Sequence, residues 1–209
     1  HTVDLEHELN LELRISHDEN FSFKVLNDLT RTARLIDLDI TGLSISDLLP
    51  LQSFSPLDIR LERLDISETD VVDLLPVAAH PIQSLDISNT KITDISPLRG
   101  FPLKHLDMNN TQVSDLTPLL GKQIRTLEIN FCPVRDISML SGMPLEELEA
   151  SGTNILDLTP LQGMPLRMLS LHQTPVEDLS PLKGMDLYAL GLGNTQVKDI
   201  TPLAGMQLN

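Results

Sequence analysis

Apolar side chains recur along this sequence in a fixed pattern, three residues before, at, and two residues after an anchoring leucine. The first interval between anchors is 26 residues, and every later interval is 21 residues. Alternate apolar positions predict a short β-strand with one buried face in each repeat, and such a unit must stack on its neighbours to bury that face. The sequence therefore predicts eight stacked coils, numbered 1 to 8, whose strands form a parallel sheet. The anchors are Leu38, Leu64, Leu85, Leu106, Leu127, Leu148, Leu169 and Leu190.

Positions are given relative to the anchor, so that column +1 is the set of residues that directly follow the anchors. After the predicted strand, a serine or threonine followed by proline predicts the start of a helical turn, with the hydroxyl as N-cap and proline as the first helical residue. Glycine at +15 ends this turn within a few residues, so we expect a single 3₁₀ or α turn per coil. The dipeptides are Ser96-Pro97, Thr117-Pro118, Thr159-Pro160, Ser180-Pro181 and Thr201-Pro202.

The two ends of the chain depart from the repeat. Apolar and polar residues alternate from Val3 to Ile15, which predicts a strand, and residues 21–33 predict a short helix or a degenerate coil. We expect residues 1–34 to form an N-terminal cap and residues 35–209 to form the eight repeats, in one continuous domain. The last coil has no polar cap after it, so the sequence predicts a chain truncated at this end and leaves end-to-end self-association through that coil open.

The shared pattern LxxLxLxxTxVxDLSPLxGMP, with strings such as ITDISPL at residues 92–98, resembles bacterial leucine-rich repeats of the internalin type. The resemblance implies an α/β solenoid: a right-handed βα superhelix and open arc, with a concave parallel sheet and short turns on the convex side. It also implies a non-enzymatic module that binds a protein or peptide on its concave face. The alternative is a ligand-binding or regulatory segment of a larger bacterial signalling protein, such as a receptor kinase.

Column +5 differs from the usual pattern of this family, which places asparagine there. Six of the eight coils have threonine, coil 1 has Leu43 and coil 5 has Cys132. Threonine carries one donor and two acceptor lone pairs, so we expect it to bond the backbone of the neighbouring coil. Cys132 is expected to be a small buried substitute for threonine rather than a reactive thiol.

Column +9 is aspartate in all eight coils. Bare carboxylates at coil spacing would repel each other, so a recurring aspartate needs local compensation. In Asp-x-Ser/Thr-Pro the carboxylate can accept the backbone N–H two residues on, near the start of the next turn. We therefore expect structural caps rather than a calcium ladder, because calcium needs about six or more oxygens per site. The caps are Asp47, Asp73, Asp94, Asp115, Asp136, Asp157, Asp178 and Asp199.

Column +1 carries a run of acidic residues that ends before Ser170 and Gly191. Its side chains are predicted to point away from the core, onto the same concave face as columns −1 and +3. Two interpretations stay open, namely a solvated surface that is common in such strands and a stripe that faces a ligand. The acidic stripe consists of Asp39, Asp65, Asp86, Asp107, Glu128 and Glu149.

The last two coils replace the stripe with a nearly neutral patch. We expect Met168, His172 and Tyr188 to form its binding hot spot, because affinity needs desolvated anchors in addition to charge. Gly191 and Gly193 are expected to leave room beside Tyr188 for a partner side chain. Further candidate contacts near this face are Arg63, His105, Arg125 and Phe131.

Composition narrows the class of partner. The chain has 30 acidic and 15 basic residues, a net charge of −15 and only 3% aromatic residues. This balance disfavours nucleic acid and anionic membranes, and no apolar run is long enough for membrane insertion. We therefore expect a protein or peptide partner, with a basic one as one option. A cell-surface or exported location is favoured over a cytoplasmic one, although the sequence does not fix the compartment.

Catalytic and cofactor motifs are absent from the sequence. It contains no glycine-rich phosphate loop, no GxSxG and no HExxH, and its six histidines show no metal-ligand spacing. The methionines at column +16 of coils 5 to 8 are expected to fill the core between coils. The sequence therefore predicts no catalytic residue, no cofactor and no metal site.

Overall fold

The computed structural model describes residues 10–14, 34–52 and 59–208. The strands form one parallel sheet in chain order, and each anchor leucine pairs with the anchor of the next coil. Since each strand pairs only with its neighbours along the chain, the predicted stack of coils is confirmed. The strands are β1 (Asn10–Arg14), β2 (Arg34–Asp39), β3 (Ile59–Asp65), β4 (Ser84–Asp86), β5 (His105–Asp107), β6 (Thr126–Glu128), β7 (Glu147–Glu149), β8 (Met168–Ser170) and β9 (Ala189–Gly191).

A single short turn lies on the other side of each described coil, as the spacing predicts. Coil 1 has one α-helical turn, α1 (Leu49–Gln52), and the later coils have 3₁₀ turns. Such thin segments set the backbones of neighbouring coils close together on both sides of the solenoid. The 3₁₀ turns are Leu75–Val77, Ser96–Gly100, Thr117–Leu119, Ser138–Leu140, Thr159–Leu161, Ser180–Leu182 and Thr201–Leu203.

The N-terminal region is described only in part. β1 lies within the predicted strand and pairs in parallel with β2, with an irregularity between Leu11 and Glu12. β2 begins at Arg34, one residue before the predicted start of the repeats. The remainder of the predicted cap, including the helix or degenerate coil over residues 21–33, lies outside the described residues. The division into a cap and eight repeats therefore stays a prediction.

The core is a continuous stack of leucine, isoleucine, valine and methionine side chains between the sheet and the turns. Anchors such as Leu127 are fully buried, and the column +16 methionines Met143, Met164 and Met185 are buried between coils. Leu190 and Met206 in coil 8 are only partly buried. The interior of the described solenoid is thus best packed in its middle coils.

Serine and threonine do not cap the turns, so this prediction is wrong. The described 3₁₀ turns have no side-chain cap from the residue that precedes them, and Thr117 is itself the first residue of its turn. The Thr117 amide instead donates to Asp115, and the Thr117 hydroxyl donates to the same carboxylate. The carboxylate is the stronger acceptor and already lies two residues back, so it takes the place that was assigned to the hydroxyl.

Every aspartate of column +9 accepts a hydrogen bond from the backbone amide two residues on, at 2.7–2.8 Å. These bonds hold the pKa of several carboxylates below its usual range. The residues with lowered pKa are Asp115, Asp136, Asp157, Asp178 and Asp199. From this geometry we predict that all the aspartates of column +9 have a structural role.

We expect Asp115→Ala to lower the urea midpoint of unfolding, because the Thr117 amide then loses its acceptor at the start of the turn. Asp115→Asn keeps an acceptor oxygen at the same place, so its midpoint should stay close to that of the parent chain. Both midpoints are measured by circular dichroism. Equal and negligible shifts for the two variants would contradict a capping role.

The threonines of column +5 bond their own coil rather than the neighbouring one, which corrects the prediction. Thr111, for example, donates to the carbonyl oxygen of Met108 three residues earlier, at 2.9 Å. Cys132 instead crosses between coils: its Sγ donates to the Met108 carbonyl at 3.0 Å and lies 3.3 Å from the Thr111 hydroxyl. The same own-coil bond is made by Thr69, Thr90, Thr153, Thr174 and Thr195, at 2.6–2.9 Å.

Column +4 adopts the left-handed backbone conformation in every coil, a feature that the sequence analysis missed. The φ angles lie between 55° and 69°. This turn aims each amide at the next coil, so that Asn110, for example, donates to the Asn130 carbonyl at 2.8 Å. Hydrogen bonding between coils therefore continues beyond the three-residue strands. The column consists of Gly42, Glu68, Asn89, Asn110, Phe131, Gly152, Gln173 and Asn194.

Candidate functional site

The acidic stripe is continuous across β2 to β7. Each of its residues pairs in register with the next, from Asp39 with Asp65 to Glu128 with Glu149. Adjacent parallel strands lie about 4.8 Å apart, so the six carboxylates form one close row. Each side chain is half-buried between its neighbours on the sheet face. The row ends at Ser170 and Gly191, as predicted.

The aspartates of coils 1 to 4 are held by their own coil. Asp86 accepts the Ser88 amide at 2.8 Å, and Asp107 accepts the Asn109 amide at 2.8 Å. Asp39 and Asp65 accept the corresponding amides and also a hydroxyl of column +3, at 2.7 Å. These contacts fix the carboxylates in place and leave their outer oxygen free to meet a partner.

The glutamates of coils 5 and 6 are one methylene longer and are held by the preceding coil. Asn109 donates its side-chain amide to Glu128 at 2.9 Å, and Asn130 donates to Glu149 at 2.9 Å. The Asn109 side-chain oxygen accepts the Asn130 amide at 2.6 Å, so each asparagine links two coils. The change from aspartate to glutamate therefore shifts the anchoring of the stripe from within a coil to between coils.

Burial raises the pKa of Asp107 to about 7, and the neighbouring carboxylates of Asp86, Glu128 and Glu149 add to this rise. Burial likewise raises the pKa of Asp86 and of Glu128. The hydrogen bonds from the Asn109 and Ser88 backbone amides act in the opposite direction and are outweighed. At neutral pH the stripe thus carries less charge than its six carboxylates suggest, and it gains charge when the pH rises.

Arg63 and His105 lie on the same face in column −1. The Arg63 guanidinium is exposed and lies 3.7 Å from the Asp37 carboxylate, and His105 is exposed on β5. Arg63 borders two shallow clefts of about 260 and 420 Å³, the larger of which His105 also lines. The N-terminal half of the face therefore offers two open, mostly polar clefts.

The predicted space beside Gly191 and Gly193 does not exist. The His172 imidazole lies over both glycines, and its Nδ1 accepts the Gly193 amide at 2.9 Å. A Cβ on Gly193 would lie 2.7 Å from Nδ1, and a Cβ on Gly191 would also overlap the ring. The glycines therefore admit a side chain of this chain rather than one from a partner.

Tyr188 is 38% exposed but lies apart from His172. It directly precedes β9, and its amide donates to the Arg167 carbonyl at 2.9 Å. Its column lies five residues before that of His172, which corresponds to about 16 Å along an extended chain. The geometry thus does not support a single compact hot spot of these three residues.

Phe131 is a stronger candidate anchor than the sequence indicates. Its side chain is 55% exposed, and its ring lies over Gly152 of the next coil. The backbone of Phe131 has φ of 60°, a conformation that bulky residues rarely adopt. All of column +4 shares this conformation, so it belongs to the fold, and the exposure of the ring is what makes Phe131 a candidate anchor.

Other kinds of site receive no support in the part of the chain that the structure describes. No three histidine, cysteine, aspartate or glutamate residues come together as a metal cluster within residues 34–52 and 59–208. No described helix has the length and apolar character needed to cross a membrane. Cys132 is buried, and burial raises the pKa of its thiol, as expected for a structural cysteine.

Comparisons with known proteins agree with this architecture. A family model for leucine-rich repeats (two copies) matches residues 82–121, whereas no curated protein matches the sequence. A solved internalin (InlF) from Listeria monocytogenes superposes with a TM-score of 0.77 at 23% identity, over 95% of this chain and 66% of that chain. Internalin C2 from the same species gives a TM-score of 0.62 at 26% identity, over 83% and 69%.

The parallel sheet, the single turns and these comparisons define a leucine-rich repeat solenoid. The chain is similar to internalin-type leucine-rich repeat proteins, and it spans about two thirds of the length of the two solved internalins. Leucine-rich repeat proteins of this type are protein-interaction modules.

Proposed function

We propose that this chain is a non-enzymatic module that binds a protein or peptide through the concave face of its sheet, with basic side chains of the partner against the acidic stripe. The observation that supports this most strongly is the in-register row of carboxylates, in which burial and neighbouring carboxylates raise the pKa values of Asp86, Asp107 and Glu128. Such a row costs free energy in the unbound protein. A bound lysine or arginine would reduce that cost.

The stripe is suited to attraction more than to affinity. A row of like charges on one face steers a basic partner and speeds its encounter. Exposed ion pairs contribute only about 0–1 kcal/mol each, so tight binding needs apolar anchors as well. Phe131 and Met168 are the available anchors, because Phe131 belongs to coil 5 of the stripe and Met168 to coil 7, which borders the stripe.

Short synthetic peptides on an array, rich in lysine and arginine, provide a defined probe. The concave variant combines Asp65→Asn, Asp86→Asn and Asp107→Asn. We expect it to lose at least about tenfold in peptide affinity at low salt, since it removes three adjacent charges of the stripe. Surface plasmon resonance should place most of the loss in the association rate.

The control variant combines Asp94→Asn, Asp136→Asn and Asp178→Asn, which removes the same number of carboxylates from column +9. It should bind the same peptides within about twofold of the parent chain. Equal losses in the two variants would show that net charge alone attracts the peptides. Unchanged binding in the concave variant would show that the stripe is a solvated surface.

End-to-end association through coil 8 would appear in light scattering as a mass that rises with concentration in all three proteins.

A further inference from the structure

Coil 4 breaks the repeat at two positions close together. Column +16 is methionine in coils 5 to 8, but in coil 4 it is Lys122. Column +14 is polar, charged or small in the other 21-residue coils, but in coil 4 it is Leu120, which is 70% exposed. The fold does not require an exposed leucine at column +14, because the other 21-residue coils have a polar, charged or small residue there.

These two replacements open a cleft of about 570 Å³ at the edge where the strands begin. Where a methionine would fill the space between coils, the Lys122 ammonium instead donates to the carbonyl oxygens of Arg99 and Phe101, at 3.1 and 2.7 Å. Phe101 and Leu103 form a buried apolar floor, and Leu120 forms an exposed apolar wall. The volume lies in the range of natural ligand pockets.

The rim of the cleft is cationic. Arg99, Lys104, Lys122 and Arg125 line it, and none of the described residues that line it is acidic. Four of the 15 basic residues thus converge on one cleft in a chain of net charge −15. Arg125 is partly neutralised by Glu146 at 2.7 Å, whereas Lys104 makes no ion pair within the described coils. Burial lowers the pKa of Lys122, which sits deepest of the four.

The cleft is separate from the acidic stripe. Lys104 and Arg125 precede β5 and β6 in column −2, while the stripe lies on the open sheet face. The cleft extends from coil 3 to coil 5, which is about 10 Å at the strand spacing. About three residues of an extended peptide cover that distance.

We propose that this cleft binds an acidic peptide segment of a partner protein, with an apolar side chain against Leu120 and Phe101 and carboxylates on the four cations. Charge complementarity and the apolar floor together select this occupant. A nucleic acid is disfavoured because the rest of the chain is strongly acidic and repels a long phosphate backbone. The proposal concerns a second surface, of opposite charge to the stripe, and does not depend on the function proposed for the concave face.

The probe is a fluorescein-labelled peptide, Glu-Leu-Glu-Phe-Glu-Glu, titrated with the full chain at low salt by fluorescence anisotropy. We expect saturable binding that Leu120→Ser and Lys104→Ala each weaken by about fivefold or more. Lys122→Met restores the residue of coils 5 to 8, so it should fill the cleft and abolish binding without lowering the thermal midpoint. Lys183→Ala removes an exposed lysine of coil 7 and should leave the affinity unchanged.

Several results would overturn the proposal. They are the absence of saturable binding, equal binding of a peptide with lysine in place of glutamate, and equal affinity of the Lys122→Met variant. Displacement of the peptide by inorganic pyrophosphate at the same concentration would show a general anion site instead of a peptide site. The concave variant with three Asp→Asn changes should keep full affinity for the acidic peptide, so failure of one proposal is distinguishable from failure of the other.

Discussion

Replacement of Leu127 by alanine is expected to lower the free energy of unfolding by about 2–5 kcal/mol. Leu127 is fully buried, and its strand lies between those of Leu106 and Leu148. Truncation leaves a cavity that the coils on both sides cannot fill, since their backbones are fixed by hydrogen bonds between coils. Urea unfolding followed by circular dichroism measures the loss.

The matched control is Leu190→Ala, the same change in the same column of coil 8. Leu190 is only partly buried and pairs with the anchor of coil 7 alone among the described strands. Its truncation should therefore cost less than half as much as that of Leu127. A larger loss for Leu190 than for Leu127 would mean that the anchor column does not hold the solenoid together.

The acidic stripe should make the protein more stable at mildly acidic pH than at pH 8. The pKa of Asp107 is about 7 in the folded state and 3.8 in the unfolded chain, so between these values the folded state binds the additional proton. The free energy of unfolding therefore falls as the pH rises through this window and levels off above it. The raised pKa values of Asp86 and Glu128 act in the same direction.

Asp107→Asn removes the titration but keeps an acceptor for the Asn109 amide. At pH 8 we expect this variant to exceed the parent chain in unfolding free energy by about 1–2 kcal/mol, after allowance for solvent screening of a half-exposed group. At pH 5 this advantage should be smaller, because the difference opens progressively as the pH rises from the unfolded value of 3.8 to the folded value of about 7. Urea titrations at several pH values between these limits measure the difference.

Asp178→Asn is the control for this experiment. The pKa of Asp178 lies below its usual range, so the carboxylate stays charged throughout the window. Its replacement should leave the pH dependence between pH 5 and 8 unchanged. Parallel pH profiles for the parent chain and Asp107→Asn would contradict the account of the stripe.

The spacing of leucines was enough to predict the coils, the parallel strands and the single turns. These features depend on burial of one face per strand, which periodicity reports directly. The choice of cap depends on a competition between two acceptors two residues apart. The pattern contains both Asp115 and Thr117 and does not say which one reaches the amide, so the hydroxyl was assigned a bond that the carboxylate makes.

Features that couple one coil to the next were harder to predict. Column +4 contains Gly42 and Asn89, which favour positive φ, but also Glu68 and Phe131, which obscure the signal. The contact of His172 with Gly193 depends on a rotamer and joins residues of different coils. Lys122 stands where coils 5 to 8 have methionine, but a lysine at one position does not by itself indicate a cleft between coils.

The left-handed turns of column +4 also bear on how this molecule can change over evolutionary time. In coils 1 to 7 the amide of this turn donates to the carbonyl oxygen at column +3 of the next coil. Recombination that inserts or removes one 21-residue unit therefore joins compatible edges and preserves the fold. Units distant from Lys122 can be gained or lost, which lengthens or shortens the platform, whereas the same event at coil 4 would erase the cleft.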